Sequence, residues 1–469
     1  MITKQDIIDR ATEWQLRAEV VEKDYILGWL LAALSVHEDI QDSWIFKGGT
    51  CIKKCFFETY RFSEDLDFSL LPDAAYSDFE IRDNLLELTR TAHELSGIDF
   101  PEEFVEVKPR KNKQGQPTFQ GKVGYRGPLG FPGVPKILFD ITQHEPILDA
   151  PGRQTVFHPY PDALAEQPGV TAYSLHELVA EKTRALYERM RPRDLYDVVY
   201  ILENQPTIFD LPRLRDLFRG KCEVKGLVTP TADHLIEVVI GNEELRSEWE
   251  NMLAHQLPAL PSLDDLLARL PDLIRWIDEP AIALPAITAS ARAVAPGEVV
   301  YAPPGIQYSG TGQPLEAIRF AGMNRLLLDF DYHGRRRRVE PYSLRTAATG
   351  NLLFYGWELA DGHIKAYKVA EMFNIKPTTT SFRPRFGIEF TPNIFMSAPP
   401  VVRPPRVSGS ASRTVRSGRR TGPVYVFECP YCGKRFPHTT NNASLRKHKS
   451  KDGYYDCPGR RGYLVETKY

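Results

Sequence analysis

The chain has 469 residues, of which 42% are hydrophobic, 26% charged and 11% aromatic. This composition excludes a collagen, a mucin-like stalk and a wholly disordered chain, and the length fits about three domains. The longest apolar run, Tyr25 to Leu34, has 10 residues, against the roughly 20 that a bilayer span needs. The charged start, MITKQDIIDRATEW, lacks the apolar core of a signal peptide, so a cytoplasmic protein without membrane contact is expected. The net charge of −2 hides an asymmetry. Residues 401–469 hold 15 Lys and Arg against four acids, a net +11 that leaves −13 on residues 1–400. A basic tail on an acidic body suggests a polyanionic partner.

In chain order, helical character dominates residues 3–39, with apolar Ile7, Ile8, Ile26, Trp29, Leu30, Ala33 and Leu34. Trp44 to Phe46 is a short buried strand ending at Gly48-Gly49. Asp65 to Leu71, Phe104 to Lys108 and Lys136 to Ile141 read as further strands. Residues 174–203 return to helix, opened by a Ser174-x-x-Glu177 capping box and interrupted at Pro192. Residues 262–278 form another helix, with an interruption at Pro271. Two stretches, 280–315 and 397–423, are rich in Pro, Ala, Gly, Ser or Arg and read as linkers. They divide the chain into an α+β part (1–279), a β-rich part (316–396) and a basic end (424–469), and no internal repeat is present. Cys51, Cys55, Cys222, Trp14 and Trp29 are most simply core residues.

The strongest chemical signal is Lys47-Gly48-Gly49-Thr50, followed by Arg61-Phe-Ser63-Glu-Asp65-Leu-Asp67-Phe68. Two adjacent glycines after a strand permit a tight turn and close backbone approach, and a helix starting near Thr50 would aim its free N–H groups at a phosphate there. Thr50 or Ser63 could add a hydroxyl contact. Asp65 and Asp67 are two apart on a strand, so both carboxylates point the same way. Paired oxygen ligands suit Mg²⁺ beside a triphosphate, and Asp140, closing the strand PKILFD, is the candidate third carboxylate. Asp329-Phe330-Asp331 has no upstream Gly-Gly-Thr and reads as solvated surface. On helix 174–191, Lys182 and Arg189 are seven apart and share a face. Either they belong to exposed charge pairing, or Lys182 meets nucleotide phosphates and Asp194 orients a basic group or helps activate the acceptor.

These motifs, with Glu181-Lys182-Thr-Arg184 and Arg193-Asp194-Leu-Tyr-Asp197, resemble those of AbiEii/AbiGii-type toxins over roughly residues 15–205. These are nucleotidyltransferases of type IV toxin–antitoxin systems with a DNA polymerase β-like core. The resemblance implies transfer of a nucleotide from an NTP to an acceptor with Mg²⁺. Some relatives modify the acceptor end of tRNA, which blocks translation. Carried over by position, Gly49 and Thr50 hold phosphate, with Gly48 of the same turn a further substrate-binding candidate, and Ser63 supports the site. Asp65 and Asp67 bind metal, and Lys182 and Asp194 are the other essential pair; Asp140, whose flanking residues carry little of the pattern, stays the candidate third metal ligand, and Arg189, on the face of Lys182, a candidate for substrate binding. An antitoxin protein is an implied partner.

Residues 108–126 carry six basic residues and no acid, with Phe119 and Tyr125 interleaved. They fit either a solvated loop or a hairpin that meets RNA backbone. Residues 316–372, with Arg335 to Arg338, Arg345 and Tyr355-Gly-Trp357-Glu-Leu359, are similar to the WYL domain, a small Sm-like β-barrel of bacterial regulators and defence proteins. The likeness implies binding of nucleic acid or a nucleotide-like ligand through those arginines; the competing reading is a solvated hairpin tip. In the tail, Cys429-Pro-Tyr-Cys432-Gly forms a knuckle that aims two thiolates at one ion. His448 and Cys457 complete a Cys₃His zinc set, with His438 the competing ligand. Arg446, Lys447, Lys449 and Lys451 around His448 suggest docking on nucleic acid, RNA or DNA. The whole reads as a nucleotidyltransferase toxin or phage-defence effector with a β-barrel and a zinc finger. The alternative is a non-enzymatic regulator that binds nucleic acid through the last two parts.

Overall fold

The computed structural model describes residues 1–71, 76–111, 115, 117–162, 168–285, 298–300, 315–347, 351–390, 424–429, 432, 434–438, 442–449, 456–457 and 463–468. The chain divides into two compact units between residues 402 and 403. The expected linker 397–423 lies outside the described residues, as does most of 280–315.

Thr3 caps α1 (Lys4–Trp14): its hydroxyl accepts from Asp6 N while Asp6 accepts from Thr3 N. Gln15 takes a left-handed φ of 56° and ends that helix. The helical stretch expected over 3–39 is therefore two helices, α1 and α2 (Ala18–Leu34). Helix α2 is buried along nearly its whole length. The chain continues through β1 (Trp44–Lys47), α3 (Gly48–Cys51), β2 (Asp65–Leu70), α4 (Asp78–Ser96), β3 (Val105–Lys111), β4 (Pro117–Gly124), β5 (Lys136–Thr142), β6 (Gly152–Thr155) and β7 (Gly169–Ala172). The seven strands form one sheet in the order β3-β4-β5-β2-β1-β7-β6. The β2–β5 and β1–β7 pairs are parallel and the rest antiparallel.

Alternation along these strands separates two faces. Leu66, Phe68, Phe119, Val123, Ile137, Phe139 and Ile141 are buried. Helix α4 packs over the β3–β4 end of that face; a Cβ on Gly121 would stand 2.9 Å from Leu85 Cδ1. The other face carries Asp65, Asp67 and Asp140.

Helices α5 (Leu175–Arg189), α6 (Pro192–Asn204), α7 (Leu211–Val224), α8 (Ala232–Ile240), α9 (Glu243–Leu253) and α10 (Leu263–Ile274) follow. Met190 is left-handed (φ 48°) and Pro192 opens α6, which gives the expected break. Only half of the expected capping box forms. Ser174 Oγ accepts from Glu177 N at 3.1 Å, but the Glu177 carboxylate instead accepts from Leu148 N and Asp149 N and pairs with Lys221 at 2.7 Å. The expected interruption at Pro271 is absent, since α10 runs through it to Ile274. Its fixed φ suits a helix, and the segment absorbs the loss of one N–H donor.

The middle part comprises β8 (Glu298–Val300), α11 (Leu315–Met323), β9 (Leu326–Tyr332), β10 (Arg335–Ala347), β11 (Leu352–Glu358), β12 (His363–Lys368) and β13 (Met372–Ser381). Among the described residues the expected small barrel is not formed. The sheet is open, in the order β12-β11-β10-β9-β13 with β8 beside β10. Helix α11 lies against β9, β10 and β13, so a helix covers apolar surface that a barrel would bury by curling. This part shares one continuous core with the first. Across the junction Tyr196 donates to Asn324 Oδ1 at 2.8 Å, Arg325 donates to Asn204 Oδ1 at 2.7 Å, and Arg319 pairs with Glu58 at 3.1 Å.

The second unit holds β14 (Val424–Glu428), β15 (Arg435–His438), β16 (His448–Lys449), β17 (Asp456–Cys457) and β18 (Tyr463–Lys468), paired as β15-β14-β18 and β16-β17. Among the described residues no helix is long and apolar enough to cross a membrane.

Candidate active site and metal centre

The Gly-Gly turn lies directly on the paired aspartates. Gly48 has a φ of +81°, and a Cβ there would sit 2.0 Å from Asp67 Oδ2. Glycine is thus required twice, for the backbone angle and for the approach of the carboxylate. A Cβ on Gly49 would meet Arg61 Nη2 at 2.7 Å and Ser63 Oγ at 3.1 Å. The helix starts at Gly48 itself, two residues earlier than expected, and continues from α3 into a π turn ending at Phe56. Thr50 is buried, and its hydroxyl donates to the backbone carbonyl of Asp65, pinning the start of β2 over the turn.

Strand register assembles the carboxylates. Asp67 pairs with Lys47 across β1–β2 and with Asp140 across β2–β5. Burial pushes the Asp67 carboxyl up to about 6, opposed by Lys47 and Lys182 and reinforced by Asp140 and Asp65. Burial also raises the Asp65 carboxyl, with Glu64 adding to the rise and Arg193 opposing it. Two half-buried carboxylates and the exposed Asp140 beside them, each raising the Asp67 carboxyl or being raised with it, form an all-oxygen donor set of the kind a hard divalent ion takes. Asp65, Asp67 and Asp140 would hold Mg²⁺ here.

A second layer of charge stands behind them. Lys182 Nζ lies 2.8 Å from Asp197 and 3.6 Å from Asp194. Asp194 is fully buried and grips Arg189 through two bonds of 2.7 and 2.9 Å. Asp197, also fully buried, grips Arg61 through bonds of 2.6 and 2.8 Å and accepts from Tyr60. Burial works to raise the Asp197 carboxyl, but Arg61 and Lys182 hold it well below the usual range. Lys47 pairs with Glu145, which also meets Lys225 at 2.9 Å. Arg193 Nε is buried without a hydrogen-bond partner among the described residues.

Arg61, Asp197, Arg193, Lys47 and Glu145 were not anticipated as site residues. The first four stand inside the quoted motifs, so their presence is visible in the sequence while their meeting is not. Nothing in the sequence near Glu145 marks it.

The arginines expected at a ligand site in the middle part are mostly neutralised. Arg338 pairs with Asp329 through bonds of 2.7 and 2.8 Å, Arg336 reaches Asp331 at 3.4 Å, and Arg337 pairs with Glu358 at 2.5 Å. Arg335 is exposed. Arg345 is fully buried against Glu389 at 2.7 Å, and burial pushes the Glu389 carboxyl up to about 7.

In the second unit Cys429, Cys432, His448 and Cys457 bring one ligand atom each within 4.8 Å of one another. The Cys429 and Cys457 sulfurs are 3.7 Å apart, and Cys432 Sγ lies 3.3 Å from His448 Nε2. A tetrahedron with zinc–sulfur bonds of about 2.3 Å has a sulfur–sulfur edge of roughly 3.8 Å, so the cluster could hold zinc. His438 instead packs its ring on Phe427, 5.3 Å between centroids. Arg446, Lys447 and Lys449 are exposed; Lys451 lies outside the described residues.

The glycine turn, the strand carboxylates and the lysine and arginine behind them all lie within one matched stretch of the chain. Residues 29–269 match the family described as nucleotidyl transferase AbiEii toxin, type IV TA system. The chain belongs to that family. Among solved structures it is similar to MenT4, a nucleotidyltransferase toxin from Mycobacterium tuberculosis H37Rv. The identity is 19% and the TM-score 0.38, over 59% of this chain and 90% of that one. A further likeness is to proteasome accessory factor B/C of Arthrobacter aurescens, at 13% identity and a TM-score of 0.15, over 79% of this chain and 74% of that one. Among curated proteins none matches the chain.

Proposed function

We propose that this protein transfers a nucleotide from an NTP to the end of an RNA acceptor, tRNA being the first candidate, and that it acts as the toxin of a pair with an antitoxin protein. The contact of Asp67 with the Gly48 turn, with Asp65 on the same strand face and Asp140 paired to Asp67, carries the reading. In the reaction an acceptor hydroxyl attacks the α-phosphorus, the bond to the β-phosphate breaks, and pyrophosphate leaves. Mg²⁺, held by the three aspartates, would supply neutralisation of phosphate charge and orientation of the attacking oxygen. The chain's own groups do the rest. Gly48 and Gly49 admit phosphate to the backbone. Lys182, held by Asp194 and Asp197, sets a positive charge beside Asp67. Arg193, with its unused Nε, offers a second cation near Asp65. The burial of Asp194 and its grip on Arg189 favour the orienting role over direct contact with the acceptor. Ser63 lines the turn beside Gly49, and Thr50 keeps the turn and β2 together. In the second unit, zinc on Cys429, Cys432, His448 and Cys457 would supply folding energy to a segment with little core of its own.

The test is incubation of purified protein with each labelled NTP, Mg²⁺ and total RNA. One NTP should label an RNA band, and Asp65→Ala or Asp67→Ala should reduce labelling by ~10³-fold or more, the scale of losing an electrostatic catalytic group, without unfolding the protein. Labelling retained in both variants would refute the site. No labelling with any NTP would favour a nucleic-acid-binding regulator.

A further inference from the structure

We infer that the acceptor nucleic acid reaches the site along the open face of β4 and β3, its sugar–phosphate backbone held by Lys108, Arg110 and Lys122. This deepens the nucleotidyl-transfer reading and rests on it. Directly paired residues in a sheet project to the same side, so the face holding the aspartates can be followed outward strand by strand. Asp67 pairs with Asp140, Asp140 with Gln120, and Gln120 with Lys108. One row away, Asp65 pairs with Leu138, Leu138 with Lys122, and Lys122 with Glu106. In a third row Ser69, Thr142, Thr118 and Arg110 align. The three cations therefore share the face of the catalytic carboxylates. Lys108 lies three strands from Asp67, about 14 Å at the usual strand spacing.

The opposite face of the same hairpin has no such freedom. Val105, Phe119 and Val123 are buried there, and α4 packs over that side. On the open face the sole acid of the two strands, Glu106, is matched by Lys136 at 2.9 Å. Arg126 is matched by Asp99 at 2.8 Å. Lys108, Arg110 and Lys122 form no ion pair among the described residues, although Lys108 and Lys122 lie near enough to Glu106 to help lower its carboxyl, and Lys108 and Arg110 are exposed. An array of unpaired cations on an otherwise acidic body, contiguous with a phosphoryl-transfer site, fits the repeating charge of a ribose–phosphate chain. Such contacts set position without reading sequence, while Gln120 and Thr118 between them offer neutral hydrogen-bonding groups.

The test compares full-length wild type with Lys108→Glu/Arg110→Glu/Lys122→Glu. Arg82→Glu, on the exposed side of α4, serves as a charge control, and melting curves establish that all three fold. Each is irradiated with total RNA containing 4-thiouridine, and crosslinked peptides are mapped. Wild type and control should crosslink within residues 105–126, and the triple variant should lose those crosslinks. In transfer assays its KM for RNA should rise roughly tenfold or more, as expected from losing several phosphate contacts, with KM for the NTP unchanged. Crosslinks confined to other segments, or hairpin crosslinks that survive charge reversal, overturn the track. If wild type labels no RNA with any NTP, the transfer reading fails, and the crosslinks still decide whether the hairpin carries nucleic acid.

Discussion

Gly48 and Asp67 act as one device. The carboxylate occupies the space that a side chain at residue 48 would fill, and there it is drier and closer to other acids than an ordinary surface aspartate. Its raised pKa has a direct consequence for stability. The folded state holds the proton more tightly than the unfolded chain, so the stabilising contribution is fully present below about pH 4 and is lost as the pH rises through about 6. Removing the charge should therefore help the fold at neutral pH. In Mg²⁺-free buffer, Asp67→Asn is expected to be more stable than wild type at pH 7.5 by about 1–2 kcal/mol, allowing for partial solvent screening. The two should converge near pH 4, and urea melts across that range measure the difference. A difference that does not vary with pH would mean that the carboxylate is hydrated like any other. Mg²⁺ should close the gap by stabilising wild type alone.

At the scale of elements, the site depends on α5 and α6 being locked to the turn before β2. Asp197 on α6 accepts from Arg61 and Tyr60 and pairs with Lys182 of α5, all in a buried setting. Asp197→Ala leaves two buried cations short of an acceptor, and about 3–5 kcal/mol of stability should go with it. Thermal melts should show that loss together with loss of transfer, whereas Asp67→Ala should lose transfer alone. Equal stability of the two variants would contradict the locking role. Much of this layout was legible. Strands 44–46, 65–71 and 136–141, the break at Pro192 and the face shared by Asp65 and Asp67 all follow from periodicity and proline chemistry. The Ser77–Glu80 capping box and Gly97 mark the ends of α4 in sequence and structure alike. Strands β4, β6 and β7 gain their identity from their neighbours more than from their own residues. Glu177 illustrates the limit. Its local pattern promises a capping box, but a tertiary demand from Lys221 and the 148–149 backbone takes the carboxylate elsewhere.

For the whole molecule, the short second unit and the large first unit are stabilised by different means. The first has a continuous core running from α1 to β13, which is why the middle part does not close into a barrel of its own: its apolar surface is already covered. No sequence pattern announces that sharing, because apolar residues look alike whichever element will cover them. The second has Phe427, Cys429, Leu445 and Cys457 as its buried cluster, and its Cys₃His spacing was readable as a staple. Metal analysis should find one zinc per chain, and Cys429→Ser or Cys457→Ala should lose it. Chelation should abolish a transition belonging to the second unit while the first melts as before. An unaltered melting profile after chelation would show that the segment folds without metal. The Arg61–Asp197 pair has a consequence in time. A ribosome that stops before residue 197 releases a fragment already carrying both glycines and the three aspartates Asp65, Asp67 and Asp140, but without the anion that sets Arg61. Truncated translation products of this gene should therefore be harmless to the cell that makes them.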